Sequence, residues 1–114
     1  MEIKTDDYSV AYEPGTQTVN FQGSLRLSGA EEYADITQLL SEVADQAPEN
    51  ITLDLQNLEF LNSSGINMFS KFVIKVRQQG NTSIKIQGSK KIPWQGKSLK
   101  NFQRLMPSLQ IDLE

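Results

Sequence analysis

Apolar and polar residues alternate at Tyr8, Val10 and Tyr12, and again at Val19 and Phe21 beyond a Pro14-Gly15 turn. A period of two places side chains on one face of a strand, so both segments read as half-buried strands. The short turn between them predicts an antiparallel hairpin. The period then changes. Tyr33, Ile36, Leu39, Leu40 and Val43 recur at helical spacing, preceded by Ser28 and Glu31 at capping-box spacing and bounded by Pro48. Ile51, Leu53 and Leu55 return to a strand period. Ile66, Phe69, Phe72 or Val73, and Val76 then predict a second helix over 66–78, with Asn67, Lys71, Lys75 and Gln78 outward and Gly80-Asn81 at its end. Residues 83–87 alternate as a fourth strand. A third helix is expected from near Lys97, burying Leu99, Phe102 and Leu105 before Pro107, and Leu109, Ile111 and Leu113 fit a final edge strand.

That order implies an α/β (α+β) fold: a mixed β-sheet of about five strands with helices packed mainly on one face. No linker, internal repeat or low-complexity tract interrupts it, and 114 residues suit one domain over 1–114.

Composition narrows the chemistry. The chain has no cysteine and no histidine, which removes disulfides, thiolate and imidazole metal sites, and nucleophile systems that rest on a histidine base. No cofactor, metal or catalytic residue is expected. No apolar run approaches the roughly 18 residues of a membrane helix, and the first residues lack the basic-then-apolar pattern of a signal peptide. The expected location is cytoplasmic.

Charge is unevenly distributed. Twelve of the fourteen acidic residues lie between Glu2 and Glu59, and none lies between Phe60 and Ile111. Nine of the eleven basic residues fall in that acid-free stretch. They are scattered and carry no interleaved aromatic platform, which argues against nucleic acid. An acidic protein partner, or a phosphate on the protein itself, suits this half better.

The densest chemistry is the run Leu61-Asn62-Ser63-Ser64-Gly65-Ile66, where a strand hands over to a helix. A helix start leaves backbone N–H groups unpaired and carries partial positive charge. Asn62 or Ser63 can simply cap the helix. Equally, a phosphoryl group on a hydroxyl here would meet donors and a favourable field.

Leu53-Asp54-Leu55, the run Leu58 to Gly65, the helix, the Gly80 turn and the strand at Ile84-Lys85-Ile86 resemble the STAS domain family, which includes the bacterial anti-sigma factor antagonists. The likeness covers residues 50–90 in motif detail and the whole chain in element order. It implies a regulatory protein-binding module rather than an enzyme. In the antagonists, a serine directly after an aspartate is phosphorylated by a kinase that doubles as the anti-sigma factor, and a phosphatase resets it. That serine falls on Ser63, with Ser64 as the neighbouring hydroxyl and Gly65 as the close-packing position. A phosphate adds about 1.5 to 2 negative charges, enough to abolish docking locally.

The family's aspartate is Asn62 here, an uncharged residue that still caps a helix. The segment Lys91 to Lys97 resembles instead a subgroup of small stand-alone STAS-like regulators of cyanobacteria and other bacteria. The expected partner surface comprises Asn62, Ser63, Ser64, Gly65, Asn67, Lys71 and Lys75. Its expected occupant is a serine kinase or anti-sigma-type regulator, with a phosphatase as a second partner. The alternative is an unphosphorylated scaffold or accessory subunit. A third reading, a ligand pocket around Asp54, Glu59 and Asn62, has no paired titratable groups or Gly-rich phosphate loop behind it. Trp94 fits either an edge plug of the core or an exposed anchor.

Overall fold

Ile51, Leu53 and Leu55 lie on one face of a central strand with no exposure to solvent, and the rest of the fold is arranged about it. The computed structural model describes residues 1–114. In chain order the elements are β1 (Glu2–Lys4), β2 (Tyr8–Glu13), β3 (Thr18–Leu25), α1 (Gly29–Glu32), α2 (Ala34–Asp45), β4 (Asn50–Leu61), α3 (Ser63–Gln79), β5 (Ser83–Gly88), α4 (Pro93–Leu105) and β6 (Gln110–Leu113).

The six strands form one sheet in sequence order. β1, β2 and β3 pair antiparallel, whereas β3, β4, β5 and β6 pair parallel. Parallel crossovers are right-handed. Because each one steps the same way across the sheet, the crossover helices all fall on one face. There α3 lies between α2 and α4. The other face is polar, with Ala11, Asn20, Asp54, Gln87 and Asp112 in one cross-strand row. Between sheet and helices runs one continuous hydrophobic core, centred on Phe69. Its ring stands 5.0 Å from that of Phe21 and 6.1 Å from that of Phe102.

The expected sheet of about five strands has six. β1 has three residues and offers a single inward side chain, Ile3, too few to show a period. α3 begins at Ser63 rather than Ile66, because Asn62 caps it. α4 begins at Pro93 rather than Lys97; proline suits a first helical position, where its missing N–H costs nothing. The capping box takes another form. Glu32, not Glu31, accepts from the Ser28 backbone N–H at 2.9 Å, and the Ser28 hydroxyl makes no cap. The helix then breaks at Tyr33 into α1 and α2.

β4 is longer than its alternation suggests. Asn20 pairs with Asp54 but Gln22 with Asn57, and Gly23 pairs with Leu58 but Ser24 with Phe60. β4 therefore carries one extra residue at each of two places, as β-bulges do. Each bulge resets the phase, so the inward positions run Leu55, Leu58, Leu61. A strict two-residue period from Leu55 would have placed Asn57, Glu59 and Leu61 inward; instead Asn57 and Glu59 are exposed.

The first bulge is held from α4. Gln95 is fully buried, and its Nε2 donates to the Leu55 carbonyl at 2.7 Å and the Leu58 carbonyl at 3.2 Å. Its Oε1 accepts from the Ser89 N–H at 2.8 Å. The half-buried Trp94 indole packs against the core and donates from Nε1 to the Leu58 carbonyl at 3.1 Å. Trp94 is thus the edge plug, and its polar end is committed inside the fold.

Candidate functional site

Asn62 leaves β4 in an extended conformation (φ −84°, ψ 179°) and caps α3 by accepting from the Gly65 N–H at 2.9 Å. Its side chain does more than cap. Oδ1 also accepts from the Tyr33 hydroxyl at 2.8 Å, and Nδ2 donates to the Leu27 carbonyl at 2.7 Å. One amide therefore joins the segment after β3, the start of α2 and the start of α3. Asparagine fits because the latch needs a donor and an acceptor on one short side chain, which a carboxylate cannot supply. Burial raises the Tyr33 phenol above its ordinary value of 10.0, so the hydroxyl keeps its proton and remains a donor.

Gly65 completes the latch by being small. A Cβ there would stand 2.2 Å from Leu61 Cδ1 and 2.8 Å from the Tyr33 hydroxyl oxygen. The first turn of α3 consequently seats directly on Leu61 and Tyr33. The helix ends at Gly80 (φ 79°), whose N–H donates to the Val76 carbonyl.

This geometry separates the two serines. The Ser64 hydroxyl is half-buried and accepts from the Gly29 N–H at 3.2 Å. Ser63, at the first position of α3, is exposed, and its hydroxyl makes no hydrogen bond within the chain. The first turn of α3 contains no acidic residue, so its field is unopposed locally.

The seven residues expected at a partner surface divide by burial. Gly65 is buried and Asn62 is half-buried, with its amide turned into the fold. Ser63, Asn67 and Lys71 are exposed along α3. Ser64, Asn67 and Lys71 also form one wall of a groove of about 370 Å³, with Gly29, Tyr33 and Gln38 opposite. Farther along, Lys75 is half-buried and pairs with Asp45 at 3.1 Å. Sequence reasoning missed Ile74, an exposed apolar side chain one helical turn beyond Lys71. Only its place among polar neighbours on the outward face signalled it.

The pocket of the third, unfavoured reading, around Asp54, Glu59 and Asn62, does not form. Asp54 accepts from the Gln56 N–H on the polar sheet face, Glu59 is exposed, and none of the three lines a principal groove. No group of three or more acidic, histidine or cysteine side chains is placed to hold a metal ion. No helix is long and apolar enough to cross a membrane.

Residues 13–84 match the STAS domain. The chain belongs to the STAS domain family. Solved structures agree on the fold. The activator SiaC of Pseudomonas aeruginosa, in its complex with the diguanylate cyclase SiaD, superimposes with a TM-score of 0.73 at 14% identity, over 100% of this chain and 99% of that one. Apo-SiaC from the same organism gives 0.72 at 11% identity, over 100% and 98%. An anti-sigma factor antagonist from Mycobacterium paratuberculosis gives 0.67 at 16% identity, over 94% and 88%. No curated protein sequence matches the chain. The STAS sheet and helices are therefore present, with an antagonist-like fold, and the run from Asn62 to Gly65 sits at the start of α3.

Proposed function

We propose that this STAS protein is a non-catalytic regulatory module of the anti-sigma-factor-antagonist type. It docks a serine kinase or anti-sigma-type partner through the start of α3 and is switched by phosphorylation of Ser63. The observation that carries this reading is the contrast between the two serines: Ser64 is occupied by Gly29, while Ser63 stands exposed at the first turn. Ser63, Asn67, Lys71 and the apolar Ile74 supply a polar and apolar contact surface around it. SiaC, a protein of the same fold, is crystallised with the protein it activates, which supports a protein-binding role.

Asn62 in place of the family's aspartate is compatible with the switch. Its amide is spent on Leu27, Tyr33 and Gly65, so the exchange alters the inside of the latch rather than the surface around Ser63. The lost charge favours the second reading, a constitutive scaffold that is never phosphorylated.

The test compares wild type, Ser63→Ala and Ser63→Asp for binding to a serine kinase of the anti-sigma-factor type. Ser63→Ala is expected to bind like wild type and Ser63→Asp at least tenfold more weakly. Equal affinity would sink the switch and leave the scaffold.

A further inference from the structure

Only one ion pair, Lys75 with Asp45, joins opposite charges in this fold. Most charged side chains therefore face solvent unneutralised, and they are sorted by position. On α4, Leu99 and Phe102 face the core, while Lys97, Lys100 and Arg104 share the outward side and are exposed. α4 packs on β6, the last strand of the sheet. At the opposite end, Asp35 and Glu42 on α2 line a shallow cleft of about 240 Å³ with Glu2 of β1, the first strand. α3 lies between the two flanks, so neither can neutralise the other within one molecule.

We propose that these flanks make the protein self-associate head to tail, the α4 cations of one copy seating on the α2–β1 carboxylates of the next. The occupant is a second copy because the chain itself presents the complementary surface. The unlike patches make a heterologous contact, which propagates as a row or closes as a ring. β1 and β6 are the two edge strands of the sheet, so the two charged flanks lie at its opposite ends. A net charge of −3 opposes the approach only weakly, and many unpaired charges acting together exceed the small value of one surface pair. This contact is independent of the Ser63 reading.

The experiment is light-scattering mass of the purified chain at ~0.01 M and ~1 M salt, between which the screening length falls from about 30 Å to about 3 Å. A mass roughly twofold or more above the monomer at low salt, collapsing to the monomer at high salt, is expected for a charge-driven contact between copies. Combining Lys97→Glu, Lys100→Glu and Arg104→Glu should abolish it, as should Asp35→Lys with Glu42→Lys. Mixing the two reversed proteins should restore it, which no folding defect would do. A monomer at low salt, or association indifferent to both reversals, overturns the proposal. So does a monomer whose α4 cations instead bind heparin, since the flank would then serve a polyanion.

Discussion

The Asn62 amide nitrogen donates to the Leu27 carbonyl at 2.7 Å, across a sequence separation of 35 residues. An aspartate at this position would cap α3 and favour its dipole, worth about 0.3–1 kcal/mol. It would also set a carboxylate oxygen against a carbonyl and lose the donor, which costs about 1–3 kcal/mol. The second effect is larger. Asn62→Asp is expected to lower stability by about 1–2 kcal/mol at neutral pH, read by urea denaturation.

Gly65→Ala isolates the close approach. Alanine improves helix propensity by about 1 kcal/mol, but its Cβ would collide with Leu61 and press on the Tyr33 hydroxyl. Overpacking costs about 1–3 kcal/mol or more, so net destabilisation is expected in thermal melts. Adding Leu61→Ala should recover part of the space, making the pair less damaging than the sum of the two single changes.

Tyr33 gives the latch a pH signature. Burial raises its folded pKa above 10.0, so the neutral phenol contributes stability that is complete below pH 10. That contribution is lost as pH rises from there through the folded value. Tyr33→Phe is expected to cost about 1 kcal/mol at pH 7. It should also flatten the alkaline decline in stability, measured by denaturant midpoints from pH 8 to 11.

Much of this was legible in the sequence because burial imposes a period. The alternation at Ile51, Leu53 and Leu55 and the helical spacing at Phe69, Val73 and Val76 both mark residues that are buried. What escaped was aperiodic or distant. The bulges in β4 break the two-residue period, and nothing local announces an inserted residue. Gln95 reads as a surface residue, yet it is buried because the carbonyls of Leu55 and Leu58 need its donors. Asn62 was recognisable as a cap. Its bonds to Leu27 and Tyr33 depend on chain crossings that no local pattern encodes.

Gln95→Leu tests the buried clamp. The substitution keeps approximate volume but leaves the Leu55 carbonyl and the Ser89 N–H without their side-chain partner. A loss of about 2–4 kcal/mol is expected from two such groups. Trp94→Phe removes a single donor to Leu58 and should cost less. Equal, negligible effects in chemical denaturation would mean that water replaces the clamp.

The most direct measurement of the central claim is site-resolved mass spectrometry of the protein after incubation with ATP and a serine kinase of the anti-sigma-factor type that binds it. Ser63 and Ser64 are adjacent, but only Ser63 has an exposed and uncommitted hydroxyl. One phosphoryl group on Ser63, absent from Ser63→Ala and never transferred to Ser64, is the expected result. An unmodified protein, or phosphate on Ser64 alone, would contradict it.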